Sequence, residues 1–174
     1  MWQNNKKIKG SPDDYVIKET EEGIFVENKK AGLIVKAPEG WEVEMVKKRE
    51  GSVAIQTLDI KGGEIDGITV PPLIKGCGIE TTVTYKALSF EEIKKGAEEI
   101  HWMLVPVFEE FEEIIVNGEK ALKNTWESKA KGPMITVYIP TNGKVYAFTL
   151  AWTSDEKDMC VQEFESFLET ISIQ

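Results

Sequence analysis

His101 and Glu98 stand three residues apart in a stretch whose spacing predicts a helix. They are the chain's nearest approach to an acid–base pair. General acid–base work also needs a pocket and a positioned substrate. No serine or cysteine stands in a nucleophile motif beside this single histidine. His101 therefore reads as a partly buried, hydrogen-bonded imidazole, and no catalytic residue is assigned. One histidine also removes multi-histidine metal sites. The carboxylates Glu109, Glu110, Glu112, Glu113, Asp155 and Asp158 are the candidates for a hard cation, which takes several oxygen ligands. Their spacing matches no calcium loop, so a solvated acidic surface is the competing reading. Cys77, between two glycines, is either a reachable thiol or one half of a Cys77–Cys160 disulfide that would clip a loop to the last helix. The bridge requires Cα atoms within about 7 Å. Neither Gly76-Cys77-Gly78 nor Lys61-Gly62-Gly63 carries the Lys-Ser/Thr step of a phosphate loop.

The 174 residues carry 30 acidic and 21 basic side chains, a formal net charge of −9. Such a surface repels phosphate backbones and anionic membranes, which excludes nucleic acid as a general partner. A basic partner or a cation is compatible with it. No apolar run approaches the ~20 residues that span a bilayer, and the opening residues have no signal-peptide core. The expected organisation is a polar tether over residues 1–22 and one domain over 23–174, interrupted by a Gly/Pro-rich insertion at 61–78.

The elements around these residues follow from periodicity. Ile24-Phe25-Val26 reads as the first strand. Leu33, Val35 and Ala37 alternate with polar or outward positions, and Pro38 ends that run because it has no N–H to give. Gly40 permits a reversal, after which Trp41, Val43 and Met45 alternate with Glu42 and Glu44 as a second arm with Trp41 inward. Val53 and Ile55, then Thr81, Val83 and Tyr85, make further strands. Ser89 and Glu92 form a capping box ahead of an apolar stripe at Phe90, Ile93, Ala97, Ile100 and Leu104. Asn117-Gly118 and Asn142-Gly143 each signal a hairpin. Val145–Trp152 is apolar or aromatic on both faces, as in a central strand covered on both sides. Asp155 and Asp158 open a last helix with a stripe of Cys160, Phe164, Phe167, Leu168 and Ile171. The fold class is α+β, a single domain with a central antiparallel sheet packed by helices in α/β/α layers. Trp102 falls off its helix stripe. Val70, Pro71, Pro72, Leu73 and Ile74 form an apolar loop segment. These six are the candidate binding residues, the loop serving either as an exposed patch for a partner or as a lid over a cleft.

Four pieces in order resemble the PsbP-like family: "GLIVKAPEGWEVE", the helix "SFEEIKKGAEEI", the hairpin "IIVNGEKALKNTWES", and "GKVYAFTLAWTSDEKDMCVQEFESFLETISI". The family includes the extrinsic subunit of photosystem II, the Mog-type Ran-binding factor and bacterial envelope lipoproteins. The resemblance spans roughly Ile24 to Ile173 and departs at the insertion 61–78. It implies a non-enzymatic interaction domain, members binding other proteins or accessory ions; the expected partner is a protein or envelope component, the expected place extracytoplasmic with a cytoplasmic one left open, no cofactor is expected, and a homodimer is one form. A carrier of a small apolar ligand, held between sheet and helix, is the alternative.

Overall fold

The computed structural model describes residues 10–45, 52–56, 63–65, 68–70, 76–104, 111–128 and 132–174. A short 3-10 turn, Pro12–Asp14, leads into β1 (Tyr15–Thr20), β2 (Gly23–Asn28), β3 (Leu33–Lys36) and β4 (Glu42–Met45). Next come β5 (Ser52–Gln56), β6 (Gly63–Ile65), β7 (Ile68–Val70), β8 (Cys77–Thr84) and helix α1 (Phe90–Leu104). The chain continues through β9 (Glu112–Val116), β10 (Glu119–Ser128), β11 (Gly132–Thr141), β12 (Lys144–Trp152), helix α2 (Lys157–Glu169) and β13 (Ser172–Ile173).

Seven strands form a large antiparallel sheet in the order β4-β5-β8-β12-β11-β10-β9. Both Asn-Gly pairs sit at hairpin turns, joining β9 to β10 and β11 to β12. Asn117 and Asn142 hold φ of 48° and 52°, a left-handed conformation that asparagine and glycine adopt at least cost. β12 lies at the centre between β11 and β8 and is covered on both faces. One face carries Tyr146, Phe148, Leu150 and Trp152, with Ile135, Val137 and Ile139 of β11 and Ile79 and Val83 of β8. On the other, Val145 and Leu122 meet Ile93 of α1, with Phe90 and Tyr138 around them.

Two sequence expectations are corrected here. Helices were expected to cover both faces of one sheet, but a second sheet covers much of the first face. It has four strands in the order β1-β2-β3-β13, and Tyr15, Val26, Leu33 and Val35 reach from it into the core shared with the large sheet and α2. Pro38–Gly40 therefore does not turn a hairpin. It carries the chain from β3 in the small sheet to β4 in the large one, and the buried Trp41 sits at the crossing with its N–H on the Pro38 carbonyl at 3.2 Å. The expected boundary at residue 22 also moves. Tyr15–Thr20 is a full partner of β2, in register from Tyr15↔Asn28 to Thr20↔Gly23, and burial of the Tyr15 ring ties it to the domain. Of the tether, residues 1–9 lie outside the described residues. Within the expected insertion, β6 and β7 pair as a two-stranded ribbon, while Cys77 and Gly78 belong to β8.

The helices are fixed at their ends. The capping box of α1 forms: the Ser89 N–H donates to Glu92 Oε2 at 2.8 Å, and the Glu92 N–H donates to Ser89 Oγ at 3.2 Å. The Ser89 N–H, with the Ser89 hydroxyl donating to the same Oε2 at 3.1 Å, holds the Glu92 acid below its ordinary range. Helix α2 rests on β12 through Phe167, whose ring meets Phe148 edge-on at 5.8 Å and stacks on Phe164 at 6.2 Å. Its C-terminus is capped from outside. The Asn117 amide at the first hairpin donates to the carbonyls of Leu168, Glu169 and Ile171 at 3.2, 3.1 and 2.7 Å. Leu168 and Glu169 hold the last carbonyls of the helix, where intrahelical partners run out, and Ile171 follows it; the Leu168 carbonyl also accepts the Ile171 N–H at 3.3 Å. The two Asn-Gly turns thus differ in what substitution removes. Asn142→Ala loses only conformational ease, about 1 kcal/mol. Asn117→Ala also removes the amide contacts to three exposed or half-buried carbonyls and is expected to cost about 1–2 kcal/mol. Urea unfolding of the two variants side by side checks the difference, and equal losses would show the amide contacts to be worth nothing.

Candidate functional site

A cleft of about 630 Å³ opens where the small sheet, the crossing turn and α2 meet. Three separate segments build it. The β1–β2 turn contributes Glu21 and Glu22, and Gly23 at φ 126° lets that turn close tightly. The end of β3 and the crossing turn contribute Lys36, Ala37, Pro38, Glu39 and Trp41. Helix α2 contributes Glu163, Ser166, Phe167 and Thr170.

The floor is apolar: Ala37, Trp41 and Phe167 are buried and Ile24 is half-buried. The rim is acidic. Glu21, Glu22 and Glu39 are exposed, Glu163 is half-buried, and none of the four takes part in an ion pair among the described residues. The one cation of the wall among the described residues, Lys36, points its ammonium over the Phe25 ring at 5.8 Å. The wall is locked by Thr170, whose hydroxyl accepts the Lys36 N–H at 3.1 Å and donates to the Phe167 carbonyl at 2.8 Å. Thr170 thereby occupies the open edge of β3 beyond the two-residue β13. Chemically, the cleft offers carboxylates above an aromatic and aliphatic surface. That arrangement suits an ammonium or guanidinium whose stem lies on apolar ground.

The described residues that line this cleft include none of the candidate binding residues chosen from sequence. Val70 ends β7, and Pro71, Pro72, Leu73 and Ile74 lie outside the described residues. Trp102 is in the last turn of α1, and its side chain, like that of His101, is outside the described part. The four acidic candidates among the described residues do not converge. Glu109 and Glu110 lie outside the described residues; Glu112 and Glu113 are exposed on β9, where Glu112 approaches Lys123 at 3.8 Å. Asp155 sits in a 3-10 turn, and Asp158 in the first turn of α2, both exposed. Among the described residues no three acidic, histidine or cysteine side chains are grouped to hold a metal. Cys77 and Cys160 are joined as a disulfide, with Cα atoms 5.5 Å apart and both residues fully buried. The reading of Cys77 as a reachable thiol therefore gives way to the bridge.

Sequence reasoning missed Glu21 and Glu22 because they fell in the expected tether, and Glu163 because a lone helix carboxylate carries no signal. The available hint was local: Glu21-Glu22-Gly23 and Glu39-Gly40-Trp41 both place carboxylates beside a glycine reversal. No described helix is long and apolar enough to cross a membrane.

No family model and no curated protein matches the chain. Solved structures do. The solution structure of cyanobacterial PsbP from Synechocystis sp. PCC 6803 aligns over 92% of this chain and 93% of its own, with 10% identity and a TM-score of 0.59. A Pseudomonas aeruginosa protein of unknown function, PA94, carried as a candidate regulator, aligns over 92% of this chain and 97% of its own, with 11% identity and a TM-score of 0.51. At such identities the likeness is one of fold. The two stacked antiparallel sheets, the helix on each side of the large one and the nearly complete overlap together make this a PsbP-like fold.

Proposed function

We propose that this domain is a non-catalytic binding module that captures a cation-bearing segment of a protein partner in the cleft between β3, the crossing turn and α2. The observation that carries the reading is the set of four carboxylates, in no ion pair among the described residues, around the buried floor of Trp41 and Phe167. A desolvated floor supplies affinity, and a one-signed rim supplies orientation and on-rate. The buried Cys77–Cys160 bridge supports an oxidising compartment, and with it an extracytoplasmic place such as the soluble part of an envelope protein. The partner is then a protein or envelope component presenting lysine or arginine.

The test uses labelled extended peptides carrying one to three Arg or Lys residues beside an apolar residue, with Glu-substituted versions as controls. Fluorescence anisotropy is expected to show binding of the basic set only, weakening as salt rises. The double reversal Glu39→Lys, Glu163→Lys is expected to weaken it by at least about tenfold, a change of ~1.4 kcal/mol. Equal affinity for the acidic controls, or an unaffected double variant, would discard the cleft as the site.

A second reading rests on the same floor. A volume of about 630 Å³ lies in the range of small-molecule pockets. A small organic cation that raises the melting temperature without any protein partner would favour it.

A further inference from the structure

The two Asn-Gly turns form a matched pair for one piece of chemistry. Asparagine is a thermolabile residue, and it loses ammonia most readily before glycine. There the following backbone nitrogen attacks the asparagine Cγ, and glycine has no Cβ to crowd the approach. The two backbones are alike, with φ of 48° and 84° at Asn117-Gly118 and of 52° and 72° at Asn142-Gly143. A Cβ added to either Gly118 or Gly143 would meet nothing within 4 Å, so neither turn is crowded. The turns differ in what holds the asparagine side chain and in the charge beside it.

Asn117 is held. Its amide nitrogen donates to the carbonyls of Leu168, Glu169 and Ile171. To bring its Cγ over the Gly118 nitrogen, the side chain must first leave all three acceptors. The residue after that glycine is Glu119, whose charge opposes the negative charge the Gly118 peptide gains when its N–H ionises. Asn142 is exposed, and its side chain makes no hydrogen bond among the described residues. Here the residue after the glycine is Lys144, and its Nζ lies 3.5 Å from the Asn142 carbonyl oxygen. That oxygen shares one delocalised peptide group with the Gly143 nitrogen, so it takes up much of the charge when the N–H ionises. The ammonium therefore stands where charge develops.

We infer that Asn142-Gly143 is a built-in site of spontaneous deamidation, activated by Lys144, and that the contacts to the end of α2 shield Asn117-Gly118 from the same reaction. Hydroxide removes the Gly143 N–H proton. The nitrogen bonds to Asn142 Cγ, the Cγ–Nδ2 bond breaks, and ammonia leaves with a proton from water, closing a cyclic imide. Water then opens the imide at either carbonyl, giving aspartate or isoaspartate. In sum, an amide and a water become a carboxylate and an ammonium ion, with no oxidation. The isoaspartate form adds a backbone atom at the tip of the β11–β12 hairpin and exposes a carboxylate open to isoaspartyl-methylating enzymes. At Asn117 the same product would set a carboxylate against three carbonyls beside Thr170, which locks the cleft wall.

The test ages the folded full chain in warm, mildly alkaline buffer and maps its tryptic peptides by mass and by isoaspartyl-specific methylation. Modification at Asn142 is expected to run at least about tenfold faster than at Asn117, a ratio equal to ~1.4 kcal/mol in barrier. In urea, where the contacts to α2 are lost, the ratio should fall to the small factor left by the neighbouring charges. Lys144→Gln, which keeps the Asn-Gly pair in place, should slow the reaction at Asn142 by about two- to fivefold, the size of an exposed charge contact. Equal rates at the two sites of the folded chain, a faster reaction at Asn117, a ratio unchanged by urea, or a Lys144→Gln rate equal to the parent's overturns the inference.

Discussion

Unfolding in urea with a reductant present is expected to begin from a protein about 4–5 kcal/mol less stable than the oxidised form. Cys77 opens β8 and Cys160 lies on the inner face of α2, 83 residues apart in sequence. In the chain-entropy account, a cross-link closing a loop of that length removes roughly 15 cal/mol/K from the unfolded ensemble, or about 4.5 kcal/mol at 25 °C. Total stabilities of single domains are about 5–15 kcal/mol, so the loss is a third or more of the whole. Reduction changes no side-chain volume beyond the bond itself, so it is cleaner than a double alanine variant, which would also hollow the core beneath α2. The reduced chain should show a lower midpoint and a steeper denaturant slope, because its unfolded state exposes more surface. Coincident curves with and without reductant would show that the two thiols are not paired in solution.

Trp41→Ala is expected to cost about 3–5 kcal/mol, the usual range for removing a large buried ring. Trp41 is only 6% exposed although it stands in a turn, and it belongs to the core that both sheets and α2 share. Its loss opens space at the crossing between β3 and β4, where the backbone is already committed by Gly40 at φ 79° and cannot easily collapse inward. Trp41→Phe keeps an aromatic body and is expected to lose about 1 kcal/mol. The ring also paves the cleft, so the two substitutions separate folding from binding. The phenylalanine variant should fold and bind basic peptides weakly, while the alanine variant should fail first in stability. An alanine variant within ~1 kcal/mol of the parent would mean that the ring contributes surface and little packing.

What could be read from the residues was local. Asn117-Gly118 and Asn142-Gly143 marked their hairpins, Ser89 and Glu92 marked the start of α1, and the stripe of Cys160, Phe164 and Phe167 marked the buried face of α2. Each signal depends on residues a few positions apart. The small sheet was missed although three of its strands pair within residues 15–36; only β13 comes from afar. Its edge strand Tyr15–Thr20 buries only Tyr15 fully and otherwise shows Lys18, Glu19 and Thr20, which reads as a polar lead-in. The Pro38–Gly40 turn has the same chemistry whether it reverses a strand within one sheet or moves it to another. What decides is β13, which pairs with β3 from the other end of the chain. The cleft was illegible for the same reason, since its carboxylates come from residues 21–22, 39 and 163.

The bond between Lys36 and Thr170 spans 134 residues. A ribosome adding about 5–20 residues per second needs on the order of ten seconds to cross that interval. Throughout it, β3 of the nascent chain presents an unclaimed flank, the kind of template on which foreign strands gather. Newly made copies should therefore lean on a holding chaperone until Ser172 and Ile173 arrive, and trimming those two residues would prolong that dependence indefinitely.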